Sequence, residues 1–251
     1  MSILWHNKYA NLKHALPVTT VIIAAAGSGV RMGGVSKPLY ELHGKKVLLY
    51  SLEVFEKSEF VKQIVISARK EDVQEIELLL KQNGIQKVTG MAEGGDTRQE
   101  SVLKAFKVAF HKKEDITPFV AIHDAARPML TMPQFEDAVR TALKYGTAVC
   151  AAKVRDTMKR TDKAGFTVDT VEREDLWQIQ TPQIFDTDLF HTALSVAEQD
   201  NYTATDESTL LSNAGFKVKL FECSYENMKL TYPEDIRIAE AILALREGNL
   251  S

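Results

Sequence analysis

Two periods of apolar residues run along this chain, short continuous blocks and rows at helical spacing. Val21-Ile22-Ile23, Gln63-Ile64-Val65-Ile66-Ser67-Ala68, Phe119-Val120-Ala121-Ile122 and Thr147 to Ala152 are blocks of the length and β-branched content expected of strands buried on both faces. Between them lie helical rows. Leu48, Leu52 and Phe55 share one face. Val73, Ile76 and Leu80 do so within 71–83, which Gly84 stops. Val102, Ala105, Phe106 and Ala109 form a third row, and Phe135, Ala138, Val139 and Ala142 a fourth that ends at Gly146. The same reasoning predicts a short strand over Leu39–Leu42 turned at His43-Gly44-Lys45, a helix over 188–198 and a short helix after Thr205-Asp206-Glu207. A strand over 217–223 and a last helix opened by Pro233, with Ile236, Ala239 and Leu243 in one row, complete the series. Strands that alternate with helices predict an α/β protein built on a doubly wound, largely parallel, Rossmann-like sheet.

One segment breaks this order. From about 153 to 175 there is no helical period. Residues 154–160 and 166–171 alternate about a turn signal at Asp162-Lys163-Ala164-Gly165, which predicts a protruding β-hairpin arm. An isolated hairpin is marginal in water, so the arm is expected to pack on a second subunit of a homodimer. Leu176 to Gln183 then returns to the body. Residues 1–17 form a polar lead-in ending at Pro17, without the pattern of a signal peptide, and 18–251 are expected to form a single domain.

Composition narrows the function. The 251 residues carry 31 Lys+Arg and 34 Asp+Glu, a net charge of −3, which argues against nucleic acid as the partner. An anionic small substrate must then be held by a local cluster of cations. No apolar run reaches membrane-spanning length. The two cysteines, Cys150 and Cys223, lie in apolar runs and fit buried thiols in a reducing cytoplasm.

The chemistry concentrates in loops at strand ends. Val21-Ile22-Ile23 leads into Ala24-Ala25-Ala26-Gly27-Ser28-Gly29-Val30-Arg31-Met32-Gly33-Gly34, followed by Lys37. Glycines that bare backbone N–H groups, with two cations close by, make a cradle for a polyphosphate. The spacing is neither that of a P-loop nor that of a dinucleotide fingerprint, and Arg31 inside the turn suits a nucleotidyl transferase, in which phosphate charge grows as a bond breaks. A second loop, Gly94-Gly95-Asp96-Thr97-Arg98-Gln99-Glu100-Ser101, opens a helix. Asp96 or Thr97 can cap it, with Glu100 completing a capping box to Thr97; equally, its short polar groups can read a nucleobase edge. His123-Asp124-Ala125-Ala126-Arg127-Pro128 follows a central strand, where open α/β sheets place their ligands. Asp124 suits Mg²⁺, and Arg127 suits a phosphate or an ion pair with Asp124 itself. His123 is expected to be a packed, hydrogen-bonded histidine.

These stretches together resemble the 2-C-methyl-D-erythritol 4-phosphate cytidylyltransferases of the non-mevalonate isoprenoid pathway, from about Val18 to Leu245. The motifs are Ala-Ala-Gly-Ser-Gly-Val-Arg-Met-Gly (25–33), Gly-Gly-Asp-x-Arg-x-x-Ser-Val (94–102), His-Asp-Ala-Ala-Arg-Pro (123–128), Val-Arg-Asp-Thr-Met-Lys-Arg (154–160), Leu-Trp-x-x-x-Thr-Pro-Gln (176–183) and Asn-Met-Lys-Leu-Thr (227–231). Where the family usually has Pro-Lys-Gln, this chain has Ser36-Lys37-Pro38.

The resemblance implies a cytoplasmic enzyme that transfers CMP from CTP to methylerythritol phosphate and releases pyrophosphate, with Mg²⁺ as cofactor. It implies backbone contacts to CTP from Ala25, Ala26, Gly27 and Gly29, and Arg31 and Lys37 on its phosphates. Gly95, Asp96 and Ser101 would read the cytosine and neighbouring groups. Asp124 would lie near the metal, Arg127 and Thr181 near the second substrate, and Lys229 on phosphate at the reacting centre. Thr157 and Arg173, on the arm, would serve the partner's site in the homodimer. The nucleophile is already an anion, so positioning and charge stabilisation suffice without a general base. The competing readings are a ribitol-5-phosphate cytidylyltransferase and a non-catalytic nucleotide-binding protein.

Overall fold

The computed structural model describes residues 18–27, 29, 34 and 36–248; the lead-in 1–17 and Arg31 lie outside them. A seven-stranded sheet organises the chain, made of β1 (Thr19–Ala24), β4 (Val61–Ala68), β5 (Val88–Glu93), β6 (Phe119–Asp124), β7 (Thr147–Lys153), β10 (Trp177–Asp186) and β11 (Leu220–Glu222). Its order is β11-β7-β10-β6-β1-β4-β5. β10 runs antiparallel to both β6 and β7, and the other pairings are parallel.

The central strands obey a period of two beneath their continuous apolar character. Val21 and Ile23 pack with α1 (Val47–Lys57), α2 (Val73–Gln82) and α4 (Met132–Tyr145) on one face. Ile22, Val65, Val120 and Ile122 pack with α3 (Arg98–Ala109), α5 (Thr187–Gln199) and α6 (Glu207–Asn213) on the other. Both faces are covered, so these strands bear apolar residues at every position. A third cluster joins α7 (Pro233–Arg246) to Ala126, Met129 and Leu230, which ties the last helix to the loop after β6. A small hairpin, β2 (Glu41–Leu42) with β3 (Lys45–Lys46), precedes α1.

Two strands differ from the sequence pattern. β5 is an edge strand whose alternation is broken by Gly90, where a Cβ would stand 3.0 Å from a Val108 methyl carbon. β10 extends the return from the arm into a ten-residue strand at the middle of the sheet. It shifts register between Ile179 and Gln183, where Pro182 breaks the ladder.

In the arm, the paired strands are β8 (Met158–Thr161) and β9 (Thr167–Val171), shorter at the base than the sequence alternation suggests. Among the described residues they pair only with each other. Phe166 is 73% exposed and Val168 66%. Among the described residues no helix is long and apolar enough to cross a membrane.

Candidate active site

The chain leaves β1 for β4 on one side of the sheet and reaches β6 on the other, which opens a crevice between β1 and β6 at their carboxyl ends. Ala24 and Asp124 are register partners at that point. A cavity of about 410 Å³ opens there, walled by Ala24 to Gly27, Gly29, Lys37, the 95–98 loop, Ser101, Asp124 and Lys229. A second, of about 330 Å³, shares Arg98, Asp124 and Lys229 with the first and continues over Arg127, Thr181 and Asp206. Two adjoining cavities divided by one set of charges suit a reaction between two anions.

The glycines of the two loops serve different ends. A Cβ on Gly94 would stand 2.4 Å from Ala26 Cβ, so Gly94 lets the second loop close onto the first. A Cβ on Gly95 would stand 2.4 Å from Glu100 Cβ. Thr97 is the N-cap of α3, its hydroxyl accepting from Glu100 N at 3.1 Å. The returning arm of the box reaches one residue further than the sequence suggests: Glu100 Oε2 accepts from Asp96 N at 2.8 Å, not from Thr97. Ser101 Oγ accepts from Gly95 N and donates to Thr97 O, each at 2.9 Å, and so braces the loop it lines. By contrast, among the described residues Gly27 has nothing within 4 Å of its Cβ position, and it lines the cavity. Ser36 donates to Asp72 at 2.9 Å and anchors the residue before Lys37.

Asp124 is the electrostatic centre. Its Oδ1 lies 3.1 Å from both Nε and Nη2 of Arg98. Its Oδ2 lies 2.9 Å from Lys229 Nζ and 3.5 Å from Arg127 Nε. Burial alone would raise the Asp124 carboxyl; Arg98, then Lys229 and Arg127, outweigh it and hold the group well below the usual carboxylate range. The ion pair with Asp124 expected of Arg127 is present, and Arg127 also lines the second cavity.

Backbone pins set these groups. Leu230 N donates to Ala126 O at 2.8 Å, which ties the Lys229 loop to the loop carrying Asp124. Asp235, at the start of α7, accepts from the backbone N–H groups of Thr231 and Tyr232. Arg127 Nη1 donates to Asn227 O, and Asn227 Nδ2 donates to Thr181 O, each at 2.8 Å. Thr181 Oγ1 accepts from Asp124 N at 3.0 Å and sits 3.2 Å from His123 Nδ1. His123 Nε2 faces Arg127 O at 3.2 Å, so the proton is on Nε2 and Nδ1 accepts from Thr181. Burial pushes His123 down to about 4, the neutral, packed histidine expected from sequence.

Of the candidates named from sequence, Ala25, Ala26, Gly27, Gly29, Lys37, Gly95, Asp96, Ser101, Asp124 and Lys229 share the first cavity; Arg127 and Thr181 line the second. Thr157 and Arg173 line neither; both are exposed, and Arg173 donates to Arg155 O. Arg31 lies outside the described residues. Sequence reasoning gave no role to Arg98, although the second motif contains it, nor to Glu207, which looks like an ordinary acidic first turn of a helix. Arg98 meets Glu207 at 2.5 Å. Burial raises the Glu207 carboxyl against the pull of Arg98.

The model of the family described as "2-C-methyl-D-erythritol 4-phosphate cytidylyltransferase" matches residues 19–245. Proteins of that name from Clostridium novyi and Halalkalibacterium halodurans are 38% and 39% identical, over 88% and 91% of this chain and 95% and 98% of their own lengths. The crystal structure of 4-diphosphocytidyl-2C-methyl-D-erythritol synthase from Anaerococcus prevotii superposes with a TM-score of 0.77 at 28% identity, covering 90% of this chain and 98% of that one. The motifs, the crevice between β1 and β6 and these likenesses agree: the chain belongs to the 2-C-methyl-D-erythritol 4-phosphate cytidylyltransferase family.

Proposed function

We propose that this chain transfers the cytidylyl group of CTP to 2-C-methyl-D-erythritol 4-phosphate, giving 4-diphosphocytidyl-2-C-methyl-D-erythritol and pyrophosphate. The observation that carries this is the Asp124–Lys229 pair on the wall common to two adjoining cavities, in a chain of this family. CTP takes the first cavity and the alcohol phosphate the second. The phosphate oxygen attacks the α-phosphorus, and the bond to the leaving pyrophosphate breaks in line. The nucleophile carries its charge at neutral pH, so the protein's task is orientation and charge stabilisation.

The N–H groups of Ala25, Ala26, Gly27 and Gly29 face the triphosphate, with Lys37 and, by resemblance, Arg31 as its cations. The loop of Gly95, Asp96 and Ser101 meets the base. Arg127 and Thr181 form the floor for the second substrate, and Lys229 takes up phosphate charge between the two. By resemblance Asp124 would lie near Mg²⁺; both its oxygens face cations here, Arg98 on Oδ1 and Lys229 with Arg127 on Oδ2, so a metal on this carboxylate would take the place of Lys229 on Oδ2. Mg²⁺ held there would neutralise phosphate oxygens.

The arm supports a homodimer. It carries exposed Phe166 and Val168 away from its own body, and Thr157 and Arg173 line neither cavity of their own chain. In a two-fold dimer each arm completes the other subunit's second cavity. The unbridged, buried Cys150 and Cys223 suit a reducing compartment, which favours the cytoplasm.

Pyrophosphate release tests the assignment. It should require CTP and methylerythritol phosphate together, and fall strongly when ATP replaces CTP or ribitol 5-phosphate replaces the alcohol phosphate. Equal rates with ribitol 5-phosphate would give the rival substrate; no release with any pair would leave only nucleotide binding. The relatives named above favour the first outcome.

A further inference from the structure

We propose that Arg98 and Glu207 act as a positioning pair: Glu207 holds Arg98 on Oδ1 of Asp124, at the wall of both cavities, so that Oδ2 is the one oxygen that changes partner during the reaction. The inference rests on the assignment of Asp124 and Lys229 to the reacting end.

The two oxygens of Asp124 are unlike. Oδ1 takes two nitrogens of Arg98, both at 3.1 Å. Oδ2 takes Lys229 Nζ at 2.9 Å, with Arg127 Nε further off at 3.5 Å. The Lys229 side chain is 35% exposed, and it lines both cavities. When substrate phosphate draws Lys229 away, Asp124 would become a buried carboxylate short of a partner, a strongly unfavourable state. Arg98 on Oδ1 prevents that, which makes the release of Lys229 cheap.

Glu207 is the odd member. Its side chain is 4% exposed, beside a site for two polyanions, where a buried carboxylate suffers desolvation and also repels the substrates. Oε1 receives Arg98 Nη1 at 2.5 Å, and Oε2 is buried with no hydrogen-bond partner among the described residues. A carboxylate serving only as a scaffold cross-link would have both oxygens satisfied. Arg98 is the one cation that Glu207 meets among the described residues. Without it, the guanidinium fork is free to take both oxygens of Asp124 and exclude Lys229, or to grip substrate phosphate from either cavity it lines. Either course binds the ground state without helping the transition state.

The test is a mutant cycle read as kcat, KM and Tm, with Asp124→Asn as control. Glu207→Gln keeps the shape and removes the charge. It should lower kcat on the order of tenfold to a hundredfold, with KM for CTP unchanged or lower. In an Arg98→Ala background the same change should have no further effect on kcat, because Glu207 acts through Arg98. Arg98→Lys, which keeps the charge but cannot bridge two carboxylates, should leave kcat near that of Arg98→Ala. A full second loss of kcat in the Arg98→Ala background, a wild-type kcat for Glu207→Gln, or rescue by Arg98→Lys would each overturn the inference. A fully active Asp124→Asn would instead overturn the assignment of the site.

Discussion

Lys229 Nζ lies 2.9 Å from Oδ2 of Asp124, on the wall that the two cavities share. The pair is asymmetric. The Asp124 side chain is 7% exposed, and that of Lys229 is 35% exposed. Removing the carboxylate leaves Arg98, Arg127 and Lys229 crowded with one fewer counter-charge, whereas removing Lys229 leaves Asp124 still paired. Asp124→Ala should therefore destabilise the fold by about 3–5 kcal/mol, and Lys229→Ala by about 1 kcal/mol or less. Both should cost about 10²–10³-fold in kcat. Urea denaturation beside a pyrophosphate-release assay separates the two; equal destabilisation would make Lys229 a structural ion-pair partner.

His123 gives a pH dependence that owes nothing to catalysis. Burial lowers it from 6.5 to about 4, so between those values the unfolded chain binds the proton and the folded chain does not. Its contribution to stability is present above about pH 6.5 and is lost as pH falls toward 4, at a limiting slope of about 1.4 kcal/mol per unit. Asp124, with its depressed carboxyl, adds a loss that begins lower, below about pH 4. Replacing His123 by Gln should flatten the slope between pH 6.5 and 4.5 in urea titrations, whatever it does to absolute stability. An unchanged slope would mean that His123 titrates normally in the folded protein.

The two glycine loops predict opposite phenotypes for the same substitution. Gly94→Ala forces a methyl group against Ala26, with 2.4 Å between the Cβ atoms, and should cost about 1–3 kcal/mol of stability. Gly27→Ala meets nothing within 4 Å among the described residues and needs no left-handed backbone, so its stability should stay within about 0.5 kcal/mol of wild type. Its methyl group instead enters the space proposed for the triphosphate, so KM for CTP should rise. A Gly27→Ala enzyme with unaltered KM would move the triphosphate away from this loop.

What the sequence made legible follows from how each residue is used. The central strands were readable because both faces are covered, as at Val21, Ile22 and Ile23. The site loops were readable because glycine and charge interrupt that pattern where strands end. β10 was not, because its inward positions include Gln180, Thr181 and Gln183, whose polar groups are satisfied by Asn227, Asp124 N and Asp206 from distant loops. Polar residues buried through long-range hydrogen bonds look like surface residues in a sequence. β5 was hidden by its position at the edge, where only Ala92 of its six residues is buried. Arg98 and Glu207 escaped for a related reason: their partner is 109 residues away, and nothing local distinguishes a buried Glu207 from a helix-start carboxylate.

The arm leads to the most direct measurement of whether one site draws on two chains. Thr157 and Arg173 sit on an exposed arm, and Lys229 sits between the two cavities. Take Arg173→Ala and Lys229→Ala, each expected to lose most of its turnover alone, and refold them together from denaturant in equal amounts. If the arm crosses to the partner, one site of every heterodimer inherits both defects and the other inherits neither. Half the dimers are heterodimers, so about a quarter of all sites should regain wild-type turnover. If the arm serves its own chain, every site keeps one defect and mixing restores nothing. That result, or a fully active monomer under assay conditions, would contradict the shared site.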